Sequence, residues 1–148
     1  EHWRHGPKTL HGTMTHGFPN QFYIGYIQGG LNASVTEQFG KQGQHIAYVI
    51  SETLKRGFAA VEPTTAAQDA YVRHFEAVGI DTSAFQRECT PSYYDNEGQA
   101  KAPWALLRQY GPGWEAFMKL LQDWRDQGDM EGLDLRGSAV SGSQSSNP

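Results

Sequence analysis

The clearest hydrophobic pattern in the chain follows Ser34, where apolar residues recur with the period of an amphipathic helix. These residues are Val35, Phe39, Ile46, Ile50 and Leu54. The residues Ser34-Val35-Thr36-Glu37 form a capping box, which starts a helix, and Lys55-Arg56-Gly57 is typical of a helix end. The pattern therefore predicts a helix over residues 34–57 that buries the apolar stripe. The internal glycines Gly40 and Gly43 indicate close approach by another element.

Two more helices are predicted further along the chain. One follows Pro63, with a weaker capping box at Thr65-Ala66-Ala67-Gln68, an apolar stripe and an end at Gly79. The other runs over about residues 113–127 and ends at Gly128. Its stripe, at 3-4-3 spacing, is Trp114, Phe117, Leu121 and Trp124. A short helix is expected over residues 103–109.

Strand signals are weaker. Residues 22–27 form an apolar, aromatic-rich run bounded by polar residues and glycines, which predicts a strand covered on both faces, as in a parallel or mixed sheet. Leu133-Asp134-Leu135 fits a short final strand. Residues 81–101 are expected to be mostly irregular, and residues 136–148 to form a disordered tail because their composition is of low complexity.

Composition narrows the possible classes of protein. The 148 residues are 38% hydrophobic and contain no run of 18 apolar residues, which argues against a membrane span. Twelve basic residues against 16 acidic ones give a net charge of −4, which argues against a nucleic-acid partner. The single cysteine, Cys89, cannot form an intrachain disulfide. With no visible signal peptide, this predicts a cytoplasmic protein.

Three candidate motifs favour structural interpretations. Four histidines lie within the first 16 residues, but no carboxylate or cysteine cluster accompanies them, so we predict no metal site. Gly111-Pro112-Gly113-Trp114-Glu115-Ala116 matches a dinucleotide-binding pattern in letters only, because Pro and Trp crowd it; we interpret it as a turn and helix start. Cys89 has no histidine partner nearby in sequence and is not predicted to be a nucleophile.

Two segments are better candidates for ligand contacts. The residues Gln28-Gly29-Gly30-Leu31-Asn32 lie between the predicted strand and the capped helix. Glycines allow close backbone approach to a ligand, and the positive end of the following helix favours an electron-rich group. The pair Tyr93-Tyr94 lies in a loop rich in Pro, Asn and Gly. The sequence is equally consistent with two roles for the pair, contact with a ligand or packing in the core.

Several motifs, in order, resemble the last part of the Baeyer–Villiger monooxygenases, a family of class B flavoprotein monooxygenases. The resemblance covers about residues 3–135. It is carried by Gly17-Phe18-Pro19-Asn20, Gln28-Gly29-Gly30, Gln44-His45-Ile46-Ala47-Tyr48, Glu62-Pro63-Thr64, residues 89–98 and Gly132-Leu133-Asp134-Leu135. The order and spacing of these motifs, more than any one of them, make the resemblance specific.

The resemblance implies an enzyme that uses FAD, NADPH and O₂ to insert oxygen into a ketone, giving an ester or lactone. It places Gln28, Gly29, Gly30 and Leu31 near the flavin and substrate. It also places Tyr93 in a segment that folds over NADP, although many members of the family have Trp at that position. No catalytic residue of the family falls within this chain.

The family's two nucleotide-binding fingerprints are absent from these residues, and the chain begins with Glu. We therefore expect a C-terminal portion that is inactive without the N-terminal part of the same enzyme. The expected fold is α/β for the whole enzyme, with two dinucleotide-binding domains, and mainly helical with one or two short strands for this chain. Residues 1–58 would end the FAD domain, 59–135 would supply helices and an active-site loop, and 136–148 would be a tail.

Two alternatives stay open from the sequence alone. One is a related flavin monooxygenase that oxidises nitrogen or sulfur on the same scaffold. The other is a non-catalytic, helix-rich interaction module that would present the aromatic stripe of Trp114, Phe117, Leu121 and Trp124 to a partner.

Overall fold

The computed structural model of the chain describes residues 6–82 and 108–138, together with Trp3, Ala84, Glu88 and Glu97. Tyr93, Tyr94, Cys89 and residues 139–148 of the predicted tail lie outside the described residues. The complete elements within the described part are three helices and four short strands. They are α1 (Val35–Lys55), β1 (Ala60–Pro63), α2 (Thr65–Val78), β2 (Ile80–Asp81), β3 (Arg108–Gln109), α3 (Trp114–Gln127) and β4 (Leu133–Arg136).

The strands form two small antiparallel pairs. Strand β1 pairs with β4, with Ala60 opposite Arg136 and Pro63 opposite Leu133, and β2 pairs with β3. The predicted final strand is thus confirmed, but it includes Arg136, which was assigned to the tail. Strands β1, β2 and β3 were not predicted, and four strands are more than the one or two expected. Arg108 and Gln109 form β3 and not the end of a helix over residues 103–109. Pairing across long sequence separations stabilises these short segments, so no local periodicity marks them.

The helix ends follow the predicted local chemistry with two changes. The Ser34 hydroxyl accepts from the Glu37 amide at 3.4 Å, but the Ser34 amide donates to Asn32, so Glu37 does not close the capping box. Helix α2 is capped by Thr64, one residue before the predicted start, through the Ala67 amide. Gly128 ends α3 in the left-handed conformation (φ 73°), as predicted.

The core forms around α3. Phe117, Leu121 and Trp124 are buried, as the 3-4-3 spacing predicts, and they pack with Val49 of α1 and with Tyr71 and Phe75 of α2. Three of the four residues of the aromatic stripe are therefore covered within the chain, and Trp114 is partly buried against the same core. This argues against the use of the stripe as a partner surface. None of the described helices is both long and apolar enough to cross a membrane.

The predicted core face of α1 is wrong. Helix α1 buries a mostly polar stripe instead: Gln38, Gln42, His45, Val49 and Thr53. Val35, Ile50 and Leu54 of the apolar stripe are 42%, 41% and 56% exposed. Gly40 and Gly43 face open space, so no close approach by another described element explains them. The polar stripe is buried because the segment packed against it offers backbone groups that need hydrogen-bond partners.

That segment is the run over residues 22–27, and the predicted strand is also wrong. Phe22 makes only an isolated bridge with Met14, and the Tyr23 amide donates to the Thr13 carbonyl at 2.8 Å. Beyond Tyr23 the chain bends, and side chains of α1 take the place of a neighbouring strand. Ile24 is 54% exposed, so the run is not covered on both faces as a strand in a parallel sheet would be.

Candidate functional site

The turn over residues 28–34 joins this irregular segment to α1 and holds four of the five predicted site residues. Gln28 adopts a positive φ of 45° and is buried. Its side-chain oxygen accepts from the Thr9 amide at 2.9 Å and the Thr9 hydroxyl at 2.7 Å, and its carbonyl accepts from the Tyr71 hydroxyl at 2.5 Å. Gln28 therefore anchors the turn to the core from behind.

The two glycines of the turn lie on an aromatic ring. A Cβ atom at Gly30 would lie 2.8 Å from the Phe117 Cβ atom, and one at Gly29 would lie 3.3 Å from the end of the same ring. Real Cβ atoms do not approach so closely, so at Gly30 the packing excludes a side chain. The close approach that these glycines allow is therefore, within this chain, an approach to Phe117.

Two buried glutamines of α1 hold the other side of the turn. Gln42 accepts from the Gly25 amide at 3.0 Å and donates to the Gly25 carbonyl at 2.7 Å. Gln38 donates to that carbonyl at 3.2 Å and accepts from the Asn32 amide at 2.9 Å. These four hydrogen bonds fix the segment against the helix that follows it. Sequence reasoning missed both glutamines, although they share the 4-3-4-4 spacing of the buried stripe.

The front of the turn is open. Leu31 is 47% exposed and Val35, the first residue of α1, is 42% exposed. The described hydrogen bonds at this helix end use the amide of Glu37 but not those of Val35 and Thr36, which have no acceptor within the helix. The arrangement can therefore offer an apolar platform beside N–H donors at a positive helix end, which suits a flat ring with an electron-rich edge.

A buried histidine pair lies near the turn and was not predicted. Arg125 donates to His45 Nδ1 at 3.3 Å, and His45 Nε2 faces His11 Nδ1 at 3.2 Å. Burial, and secondarily the Arg125 charge, lowers the pKa of His45 to about 3. Burial and then His45 lower the pKa of His11 well below its usual value. The pair is therefore neutral at physiological pH, and its role in the described fold is packing among Tyr71 and Trp124.

The remaining candidates take structural positions or lie outside the described residues. Gly113 is the N-cap residue of α3 with φ 91°, in agreement with a turn and helix start and not a dinucleotide site. Among the early histidines, His16 Nδ1 hydrogen-bonds the Pro63 carbonyl at 2.9 Å. Tyr93, the fifth predicted site residue, stays a prediction.

Comparisons of the sequence and of the fold with known proteins both find similarity to the same group of enzymes. No protein-family model matches the sequence. Pentalenolactone D synthase of Streptomyces exfoliatus is 34% identical over 92% of this chain and 23% of its own length. An FAD-binding monooxygenase of Hypomyces subiculosus is 38% identical over 90% of this chain and 22% of its own length. The chain thus spans less than a quarter of the length of the relatives that it matches.

Solved structures agree with these relatives. The polycyclic ketone monooxygenase of Thermothelomyces thermophila superposes with a TM-score of 0.78 at 32% identity, over 92% of this chain and 22% of that one. This chain is homologous to one part of the flavin-dependent monooxygenases. The resemblance to the C-terminal portion of a Baeyer–Villiger monooxygenase, predicted from the order of motifs, is thereby confirmed. Cyclohexanone monooxygenase of Rhodococcus sp. Phi1, solved with NADP⁺, shares the fold at 20% identity, with a TM-score of 0.69 over 93% of this chain.

Proposed function

We propose that this chain functions as part of an FAD- and NADPH-dependent monooxygenase that inserts one oxygen atom of O₂ into a ketone to give an ester or lactone. The observation that carries this proposal is the likeness to the polycyclic ketone monooxygenase, which extends over 92% of the chain at 32% identity. The relatives named as FAD-binding monooxygenases support the cofactor. The ketone substrate and NADPH rest on the sequence resemblance and on this homology, whereas the cytoplasmic location rests on the single cysteine of the sequence alone.

In the proposed enzyme the turn over residues 28–34 lies against the flavin. The open apolar surface of Leu31 and Val35 fits the ring, and the free end of α1 would stabilise negative charge on the reduced flavin. When bound, FAD supplies the redox chemistry with O₂. The chain's own residues supply position: Gln28, Gln38 and Gln42 fix the turn from behind, so its donors need little reorganisation during turnover.

Because this chain supplies only part of the proposed site, we expect that the chain alone neither binds FAD nor oxidises ketones. The N-terminal part of the same enzyme is the partner that it needs for both. The non-catalytic alternative loses its main support, because Phe117, Leu121 and Trp124 of the aromatic stripe that would have bound a partner are buried in the chain's own core. Oxidation of nitrogen or sulfur remains the alternative chemistry on the same scaffold.

A graft tests the proposal. The segment of the Thermothelomyces thermophila enzyme that matches this chain is replaced by the chain, and the purified hybrid is analysed for bound flavin and for products from NADPH with a polycyclic ketone and with a thioether. Retained flavin with ester or lactone formation supports the proposal. Sulfoxide without any ester or lactone supports the alternative, and a folded, flavin-loaded hybrid that forms neither product contradicts both.

A further inference from the structure

The backbone carbonyl of Gln28 is enclosed by residues that lie far from it in the sequence. The Tyr71 hydroxyl of α2, 43 positions later, donates to this carbonyl at 2.5 Å. Gly12 lies against it from a third segment, since a Cβ atom at Gly12 would be 3.2 Å from the Gln28 carbonyl oxygen and 2.3 Å from that of Ile27. Both carbonyls therefore point from the start of the turn towards the core of the chain.

The direction of the Gln28 carbonyl fixes the direction of the next amide. In a planar trans peptide the C=O and N–H groups point in opposite directions, so the Gly29 amide points away from Tyr71. Gly29 is half-buried, whereas Gln28 and Gly30 on either side of it are buried. Among the residues that the structure describes, none accepts a hydrogen bond from the Gly29 amide. The turn thus presents an oriented N–H donor on its accessible side.

Tyr71 is held in a way that keeps its hydroxyl on this carbonyl. The residue is 6% exposed, and its ring packs edge-on against His11, with the ring centroids 5.5 Å apart and the planes at 85°. Phe75 lies on another side of the ring at 6.5 Å. Burial, and secondarily Tyr110, raises the pKa of Tyr71, so its hydroxyl stays protonated and donates at every physiological pH.

Resting on the proposed function, we infer that Tyr71 is a positioning residue of the flavin site. Its hydroxyl holds the peptide between Gln28 and Gly29 so that the Gly29 amide donates to the electron-rich edge of the flavin ring. Support of this kind is needed because Gln28 has a positive φ of 45°, which is uncommon for a residue with a side chain. Thr9 binds only the side chain of Gln28, so the hydrogen bond that orients the peptide itself comes from Tyr71.

The test compares Tyr71→Phe with the matched control Tyr48→Phe. Each variant keeps its aromatic ring and loses one hydroxyl that donates to a backbone carbonyl, because the Tyr48 hydroxyl donates to the Arg125 carbonyl at 2.9 Å. The Tyr48 hydrogen bond joins α1 to α3 and does not involve the turn. Two quantities are measured for each variant. They are the NMR signal of the Gly29 amide in the free chain, and the reduction potential of FAD in the flavin-loaded hybrid with the Thermothelomyces thermophila enzyme.

We expect Tyr71→Phe to shift the Gly29 amide signal and to lower the reduction potential of FAD, because a donor that stabilises the negative charge of the reduced flavin is no longer held in place. A hydrogen bond to a charged group is worth about tenfold in an equilibrium constant, which is about 30 mV for a two-electron couple. Tyr48→Phe should change neither quantity.

An unchanged Gly29 signal in Tyr71→Phe overturns the inference, because the peptide would then keep its orientation without the hydroxyl. An unchanged potential in Tyr71→Phe also overturns it, as does an equal change of potential in Tyr48→Phe, which would make the effect one of general stability. If the hybrid binds no FAD, the proposed function fails, whereas a shifted Gly29 signal still supports the positioning of this peptide by Tyr71.

Discussion

The buried histidine pair makes the stability of this chain depend on pH in a direction that can be worked out. His11 is 5% exposed and His45 is fully buried, and both have lowered pKa values, His45 to about 3. An unfolded chain protonates its histidines near pH 6.5, so below that pH the unfolded state binds more protons than the folded state. Stability is therefore full above the unfolded pKa and falls as the pH drops towards the folded pKa.

The size of the effect follows from the two pKa values of His45. Lowering the solution to about pH 5 should reduce the free energy of unfolding by about 2 kcal/mol relative to about pH 8, for a folded pKa of about 3. For a chain of this length that corresponds to a fall in melting temperature of roughly 4–8 °C. His11 adds to the loss in the same direction, so the single-site figure is a lower bound for the pair.

Thermal unfolding followed by circular dichroism measures this directly. The variant His45→Gln removes the titrating group while keeping a side chain that can hydrogen-bond, so its melting temperature should change less between the two pH values than that of the wild type. His74→Gln, at an exposed histidine outside the pair, serves as control and should leave the wild-type pH dependence in place. Equal melting temperatures for the wild type at both pH values would refute the burial argument, as would an unchanged pH dependence in His45→Gln.

Three further substitutions test how the turn and α1 are held. Gly30→Ala should lower stability by about 1–3 kcal/mol, because the new Cβ atom would clash with the Phe117 Cβ atom. Gly40→Ala, where a Cβ atom would meet nothing within 4 Å, should cause no such loss; equal losses in chemical denaturation would argue against the clash. Gln42→Leu should lower stability by about 1–3 kcal/mol, whereas Gln44→Leu, at an exposed position, should change it by no more than about 0.5 kcal/mol. Similar losses in both variants would mean that the hydrogen bonds between Gln42 and Gly25 do not hold the segment in place. Gly43→Ala should raise the melting temperature of the free chain, because alanine stabilises the helix by up to about 1 kcal/mol relative to glycine. A lower melting temperature would mean that another part of the chain already occupies the space beside Gly43.

Local sequence signals predicted the helices well, because the groups that fix helix ends are close in sequence. Ser34 and Gly128 carry that information in their own side chains and backbone freedom. The side of α1 that is buried could not be obtained in this way. Periodicity identifies an apolar stripe but does not say what covers it, and here the core selects the polar stripe because Gly25 and Asn32 need hydrogen-bond partners.

The small sheets and the histidine pair could not be predicted from the sequence either, because each joins residues that are far apart along the chain. Glu62 is buried in β1 only because Arg136, 74 positions later, pairs with it and the Gly17 amide donates to it at 2.6 Å. His11 and His45 meet across 34 positions. The order of the family motifs predicted the homology and the location of the turn, but not that Gly30 packs on Phe117.

In the proposed enzyme, the turn over residues 28–34 lies against the flavin, and this contact can be measured. The most direct measurement is the fluorescence lifetime of FAD in the flavin-loaded hybrid carrying Leu31→Trp, since a tryptophan in contact with the flavin ring quenches it by electron transfer. Ser51→Trp, about 24 Å along α1 from Val35, is the matched control. We expect a clearly shortened flavin lifetime for Leu31→Trp and an unchanged one for the control. Equal lifetimes in both variants, with flavin bound, would contradict this expectation.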